Sequence, residues 1–396
     1  MDSCRTSGGR PRFDIAEIVR QHRTTLEAEH HLTLAQSRVL SAIALCRTAA
    51  LGGHVDTCPS CGFEHPAYNS CRNRHCPKCQ ALRQERWIAA RTERLLPVRH
   101  FHVVFTLPSE IRALGKTYPR QIFGALFSAA SDTLADLGES RLHARPGVTM
   151  VLHTWTRDLR FHPHVHALVT AGGLAEDNSH WVPSNGKYLL PVKVMGLLLR
   201  GKMMAAVRAL HAAGIFASFK DFAGPDSFDR LMQKLASAKW IVYAKKPFGR
   251  VDHVIQYLGR YTHRVGMANS RLVDVRDDAV TFRTKDGKTA TLAPVEFLRR
   301  FVQHVLPEGF HKIRHFGLYA GAADAARRQS LEGLSPSAPA SVVAQKETVS
   351  ESWEEDLQQL TGRDINRCPR CGGLIEHRLV AATPTRGPPV ATEIAA

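Results

Sequence analysis

The 396-residue sequence contains no run of eighteen consecutive apolar residues, so we expect no transmembrane helix. Its first residues lack the apolar stretch of a secretory signal, which argues against export. Nothing in the sequence marks a triad of catalytic carboxylates, which disfavours enzymes that depend on one. The chain is nevertheless long enough for two or three domains. These features predict a cytoplasmic protein.

Acidic residues are scarce relative to basic ones. The sequence has 36 Asp and Glu residues against 53 Lys and Arg residues, which gives a formal net charge of +17. Because the excess is spread over most of the chain, it favours a polyanionic partner, and nucleic acid is the first candidate. A basic surface without a specific partner is the alternative interpretation.

The chain contains nine cysteines, which in a reducing compartment indicate metal binding rather than disulfides. Two Cys-x-x-Cys pairs are separated by fourteen residues. Each such turn supplies one edge of a tetrahedral zinc site, and two turns facing each other complete it. The spacing therefore predicts one structural zinc site. Its four expected ligands are Cys58, Cys61, Cys76 and Cys79.

Other residues around these pairs leave alternatives open. Cys71 and His75 are spare candidates that could each replace one of the four ligands. Arg72 and Arg74 make the segment a candidate DNA-binding module, although a zinc staple with a merely solvated basic surface fits the same pattern. A further pair, at 368 and 371, is a half-site that would need Cys71 or a partner chain to complete it.

The segment 161–169 alternates polar and apolar residues in the way that a β-strand does. In a strand, His164 and His166 point to the same side, within reach of one metal ion, while Val165 points to the core. An exposed polar strand face is the alternative interpretation of the two histidines.

The segment 251–265 has a helical pattern in which Tyr257 and Tyr261 lie four residues apart, on one face. A tyrosine hydroxyl can attack a DNA phosphate and hold the strand covalently. Arg260 and Arg264 flank the tyrosines and are candidates for binding phosphates. The three–four spacing also suits a core stripe, in which Tyr261 would be a buried aromatic residue. Strand histidines for a metal, combined with helical tyrosines, favour an enzyme that nicks single-stranded DNA.

Periodicity predicts the remaining elements of an α+β protein. Strands are expected at 101–107 and 148–155, with the latter forming an antiparallel hairpin with the histidine strand. Helices are expected at 122–137 and 294–305, and a hairpin that turns at Asp286-Gly287 is expected within 273–291. The expected domains are a helical and zinc-binding module, a catalytic domain, and a linker with a C-terminal tail. Their bounds are 15–97, 98–320 and 321–396.

The order of these motifs along residues 30–320 resembles that of the rolling-circle insertion-sequence transposases, which belong to the HUH, two-tyrosine class and carry an N-terminal zinc-binding segment. The resemblance rests on the zinc segment at 58–79, the strand at 102–108, the histidine strand at 162–166 and the tyrosine segment at 257–264. It implies a ferredoxin-like HUH nuclease core with an antiparallel sheet and flanking helices. It also implies association with the nucleoid and recognition of element ends as single strands or hairpins.

The resemblance further implies Mg²⁺ or Mn²⁺ at His164 and His166, and nucleophilic roles for Tyr257 and Tyr261. It leaves the third metal ligand open. The competing residues are Gln256, His102, His162 and His263. A rolling-circle replication initiator or relaxase with the same chemistry, and a non-catalytic zinc-dependent DNA-binding protein, are the alternative functions.

Overall fold

The computed structural model describes residues 11–92, 94–184, 191–248, 259, 266–333, 354–355, 357–358, 362 and 364–383. Over these residues the chain is an α+β protein whose sheets are antiparallel. The helices are α1 Ile15–Glu29, α2 Leu34–Leu45, α3 Ala81–Thr92, α4 Arg112–Thr117, α5 Pro119–Leu137, α6 Val192–Ala212, α7 Ser227–Ser237, α8 Pro294–Val302 and α9 Asp324–Gly333. The strands are β1 Gly53–Thr57, β2 Glu64–Tyr68, β3 His100–Thr106, β4 Ala144–Arg145, β5 Gly147–Trp155, β6 Phe161–Thr170, β7 Gly172–Ala175, β8 Trp181–Pro183, β9 Val242–Phe248, β10 Leu272–Val275, β11 Val280–Arg283, β12 Thr289–Leu292, β13 Ile313–Gly317 and β14 Glu376–Val380.

The central sheet has five strands in the order β13–β5–β6–β3–β9. The predicted strands near 101–107 and 148–155 are confirmed as β3 and β5, and the predicted β5–β6 hairpin is present. The histidine strand is therefore central, paired with β5 on one side and β3 on the other.

One face of this sheet is the main hydrophobic core. Phe105 of β3, Met150 of β5 and Val165 of β6 are fully buried there, so the inward orientation predicted for Val165 is confirmed. Helices α5 and α6 cover this face with residues such as Phe127 and Leu199. The predicted helix at 122–137 is confirmed, but it begins earlier, with Pro119 in its first turn, where a missing N–H costs nothing.

The opposite face of the sheet carries a smaller hydrophobic cluster. Val151 of β5 and Leu168 of β6 are buried there, and Trp87 and Ile88 of α3 pack against them. Helix α3 therefore lies over the side of the sheet to which the alternate residues of β6, including His164 and His166, belong.

A second core joins the N-terminal helices to residues near 300. Ile18 of α1, Leu40 of α2, Phe282 of β11 and Phe297 of α8 belong to this cluster. The predicted helix at 294–305 is confirmed as the shorter α8. The region 273–291 contains three strands rather than a single hairpin.

The turn predicted at Asp286-Gly287 is present between β11 and β12. Both residues have positive φ angles, 57° and 74°, as a tight two-residue turn requires. Over the described residues, none of the helices has the length and apolarity required to cross a membrane.

Candidate functional site

The central sheet brings three histidines together, and we call them the histidine cluster: His153 of β5, and His164 and His166 of β6. One ring nitrogen from each lies within 4.8 Å of the others. Strand register produces this grouping, because His153 is directly opposite His164, and His166 lies two residues further along the same face. The predicted proximity of His164 and His166 is therefore present.

Hydrogen bonds orient two of these rings. Nδ1 of His164 lies 2.7 Å from the carbonyl oxygen of His162, which can only accept, so Nδ1 carries the proton and Nε2 is left with its lone pair. Nδ1 of His166 lies 2.8 Å from Nε2 of His102 on the adjacent strand. These contacts resemble those that fix metal-binding histidines in one tautomer, with the far nitrogen directed at the ion.

Burial keeps the cluster uncharged. It lowers the pKa of His164 to about 4. The pKa values of His153 and His166 are also well below 6.5, first because of burial and then because neighbouring histidines disfavour a second positive charge. All three rings are therefore neutral near pH 7, which is the form that ligates metals.

His153 was not among the predicted candidates for a third ligand. His102 instead contacts His166, and His162 offers its backbone carbonyl to His164. Gln256 and His263 lie outside the described residues. Period-two alternation in β5 could have identified His153, because Leu152 faces the main core and its successor must face the other way.

The tyrosine segment is described only at Gly259. Gly259 is helical and buried, and a Cβ atom built on it would lie 2.4 Å from Cδ1 of Ile88. Its backbone therefore packs directly on α3, the helix that covers the histidine-bearing face of the sheet. The predicted nucleophiles Tyr257 and Tyr261, and the predicted phosphate-binding residues Arg260 and Arg264, lie outside the described residues.

Eight cysteines form two separate groups of four. The proximal cysteine cluster consists of Cys46, Cys71, Cys76 and Cys79, and the bridging cysteine cluster consists of Cys58, Cys61, Cys368 and Cys371. In each, the four sulfur atoms lie within 4.8 Å of one another.

The sulfur spacings fit zinc. The Sγ–Sγ distances are 3.7 Å for Cys71–Cys79, 3.5 Å for Cys58–Cys371 and 3.7 Å for Cys61–Cys368. A tetrahedron with Zn–S bonds of about 2.3 Å has sulfur–sulfur edges of about 3.8 Å. The same distances are far beyond a disulfide bond of about 2.05 Å. The close approach of the thiols also changes their acidity. Hydrogen bonds from Cys46, Cys71 and Cys76 lower the pKa of the Cys79 thiol.

The predicted grouping of Cys58, Cys61, Cys76 and Cys79 in one site is wrong. Cys58 and Cys61 follow the end of β1, at the tip of the β1–β2 hairpin. Cys76 and Cys79 come after β2, which ends at the base of the hairpin. Strands of five residues separate tip and base by roughly 17 Å, so the two pairs belong to different sites.

Cys71 and His75, the two spare candidates for zinc ligands, lie in different environments. Cys71 joins the proximal cysteine cluster, whereas His75 is buried and its Nε2 accepts a hydrogen bond from the backbone N–H of Leu306. Cys46 was missed because it continues the apolar pattern of helix α2 and stands alone, without a second cysteine at knuckle spacing.

The two described arginines that were predicted to bind DNA differ in environment. Arg72 is exposed. Arg74 is half-buried, and its guanidinium donates to the carbonyl oxygens of Pro307 and Phe310 at 2.8 and 2.6 Å. Burial lowers the pKa of Arg74. The expectation for Arg74 is therefore corrected: its guanidinium fastens the cysteine-bearing segment to residues 306–310.

Two family models match the chain. Residues 18–107 match a family described as "Transposase zinc-binding domain", and residues 147–327 match one described as "Putative transposase". The second match contains the histidine cluster, and the first contains the proximal cysteine cluster. The zinc-binding domain and the cysteine clusters together support structural zinc.

Two curated relatives extend the comparison. The "Putative transposase y4qJ" of Sinorhizobium fredii is 40% identical over 373 residues, covering 90% of this chain and 92% of the relative. The "Transposase for insertion sequence element IS801" of Pseudomonas savastanoi pv. phaseolicola is 31% identical over 286 residues, covering 69% and 68%. No solved structure matches. The chain therefore belongs to the transposase family that includes the IS801 transposase and carries an N-terminal zinc-binding domain.

Proposed function

We propose that this transposase nicks and rejoins single-stranded DNA at the ends of its element through covalent 5′-phosphotyrosine intermediates, in a rolling-circle-like cycle within a ferredoxin-like HUH core. The histidine cluster carries the proposal. It consists of three neutral imidazoles from adjacent strands, with one ring nitrogen of each within 4.8 Å of the others, and hydrogen bonds orient the rings of His164 and His166.

His153, His164 and His166 are the residues that would hold a divalent ion. Three neutral nitrogen donors fit Mn²⁺ better than Mg²⁺, because Mg²⁺ strongly prefers oxygen ligands. A bound ion would withdraw charge from the phosphoryl oxygens of the DNA. His102 has a positioning role, since its contact with Nδ1 of His166 fixes that ring.

The nucleophiles in this proposal are Tyr257 and Tyr261. The tyrosine hydroxyl oxygen attacks phosphorus, the bond from phosphorus to the 3′-oxygen of the preceding nucleotide breaks, and the tyrosine proton ends on that 3′-oxygen. The number of phosphoester bonds is unchanged, so the free 3′-hydroxyl can later reverse the step. The four-residue spacing of the tyrosines supports this assignment, because residues four apart in a helical pattern lie on one face.

Strand binding depends on the positive charge of the chain. Exposed Arg72 and, in the tyrosine segment, Arg260 and Arg264 are the proposed phosphate contacts. The formal charge of +17 supports an electrostatic contribution to binding that weakens steeply with salt.

The direct test uses full-length, zinc-loaded protein with labelled single-stranded DNA from the element ends, in Mn²⁺ or Mg²⁺. We expect an adduct that survives a denaturing gel and that peptide mass spectrometry locates at Tyr257 or Tyr261. The double variant Tyr257→Phe/Tyr261→Phe should lose the adduct and still bind DNA. Tyr243→Phe is the matched control, because Tyr243 is an exposed tyrosine of β9. An adduct that persists in the double variant would refute the assignment.

A further inference from the structure

The bridging cysteine cluster lies partly outside both family matches, because Cys368 and Cys371 follow residue 327. We propose that Cys58, Cys61, Cys368 and Cys371 bind a second structural zinc ion, which fastens the C-terminal segment to the N-terminal zinc-binding module. Each chain then holds two zinc ions. This site is independent of the proposed tyrosine chemistry.

The two halves of the cluster are copies of one local structure. Each has the sequence Cys-Pro-x-Cys-Gly, at 58–62 and at 368–372. In each, the final glycine N–H donates to the carbonyl oxygen of the first cysteine at 2.9 Å. Gly62 and Gly372 have similar positive φ angles, 67° and 75°. Two identical thiol-bearing turns that face each other form the arrangement of a closed zinc site.

Backbone pairing places the second turn independently of any metal. Strand β14, which follows the 368–371 turn, pairs with β1 over five residue pairs, from Gly53–Val380 to Thr57–Glu376. Both turns therefore lie at the same end of a three-stranded sheet, β14–β1–β2. Gly373 also approaches Ser60 so closely that a Cβ atom at 373 would lie 3.0 Å from Oγ of Ser60.

Apart from this pairing and polar contacts such as the 2.8 Å bond between His377 Nδ1 and Asp56 Oδ1, the C-terminal segment buries little apolar surface. Within the described stretch 364–383, Cys368 is the one buried residue. The large apolar side chains Leu374 and Leu379 are 67% and 87% exposed. A small three-stranded sheet with no hydrophobic face is marginal in water, so a cross-link must supply the stability. Four thiolates bound to one zinc ion form such a cross-link, whereas four thiols without a metal ion do not.

The test is a zinc count on full-length protein purified without added metal. We expect two zinc ions per chain in the wild type and one in Cys368→Ser/Cys371→Ser. Cys371 is exposed and Cys368 belongs to none of the hydrophobic clusters of the described residues, so this variant should keep its fold outside the C-terminal segment. His377→Ala is the matched control, since the exposed His377 forms a nearby group with half-buried His54 and Asp56 that could bind stray zinc, and this variant should keep two ions. One zinc ion in the wild type, or two in the double cysteine variant, would overturn the proposal.

A second measurement identifies the ligands rather than the count. Replacement of zinc by Co²⁺ should give the intense thiolate charge-transfer and visible bands of two tetrahedral sulfur sites. The double cysteine variant should lose half of this absorption, and trypsin should then cleave at Arg367, Arg370 or Arg378, which are exposed in the C-terminal segment. Unchanged bands and unchanged resistance to trypsin would show that these cysteines bind no metal.

Discussion

The histidine cluster and the bridging cysteine cluster have similar dimensions but opposite relations to the fold. The three histidines lie within a span of fourteen residues of one hairpin, 153–166, whose strands are already held by the main hydrophobic core. The bridging cysteine cluster joins Cys58 to Cys371, which are 313 residues apart, in a region with hardly any core. The folded sheet alone positions the histidine cluster, whereas metal binding at the bridging cysteine cluster would stabilise the fold around it.

Loss of metal should therefore have different consequences at the two kinds of site. A site that the sheet register forms in advance should lose chemistry without losing structure. A structural zinc site contributes its binding free energy to folding, because the unfolded chain has no preformed site. Variants at the two kinds of site should therefore separate loss of activity from loss of stability.

Removal of the histidine ligands should give the largest effect on activity. We expect His164→Ala/His166→Ala to lower the nicking rate by more than about 100-fold, beyond the loss typical for partners of metal ligands. Zinc content and thermal stability should stay near those of the wild type. His315→Gln is a control on the same sheet, where His315 bonds Thr149. A double variant that nicks at the wild-type rate would contradict the metal assignment.

Removal of a proximal cysteine should instead affect stability. Cys46 and Cys76 are fully buried in the second core, so Cys46→Ser should lose one zinc ion and leave polar groups inside that core. A loss of about 3 kcal/mol would lower the melting temperature by roughly 6–12 °C. Cys371→Ser, at an exposed position, should lower it less. Equal melting temperatures for the two variants would show that the clusters do not differ in this way.

Loss of His102 should have an intermediate effect on activity. His102→Ala removes the partner of His166 Nδ1 but leaves the three proposed ligands in place. We expect the concentration of Mn²⁺ needed for half-maximal nicking to rise about 10- to 100-fold, with the maximal rate largely retained at saturating metal. An unchanged metal requirement would show that His102 has only a packing role.

The sequence was most informative where structure depends on near neighbours. Period-two alternation identified the histidine strand and its hairpin, because residues that lie opposite in a hairpin are close in sequence. The same rule reached His164 and His166 but missed His153, because β5 was interpreted from its apolar face alone. Local periodicity identifies the strand, and register between strands identifies the ligand.

The cysteine groups show where such reasoning fails. Spacing revealed three thiol turns but not which turns face each other, because that depends on where the chain folds back after several hundred residues. The pairing of β14 with β1 decides it, and nothing near Cys58 in the sequence predicts that pairing. The domain boundary expected at 97 stays a prediction, although the second core contains residues from both sides of it.

Lys312 is a buried amine whose charge acts on groups near both the proximal cysteine cluster and the histidine cluster. It is 7% exposed, and among the described residues its Nζ has no hydrogen-bond partner. Burial and then the charge of Arg74 lower its pKa to about 7. Burial lowers the pKa values of His75, beside the proximal cysteine cluster, and of His153, and the charge of Lys312 adds a smaller lowering to both.

This buried amine should make stability depend on pH. From about pH 7 to 10.5 the unfolded chain keeps the Lys312 proton while the folded chain has released it, so stability should rise with pH over this window, by up to about 1.4 kcal/mol per unit. Lys312→Met keeps the aliphatic packing and removes the charge. We expect the variant to be more stable than the wild type at pH 7, with a gap that narrows towards pH 10 in thermal unfolding. Parallel pH profiles for the two proteins would show that Lys312 is charged and paired in the fold, and that the two regions are not linked through it.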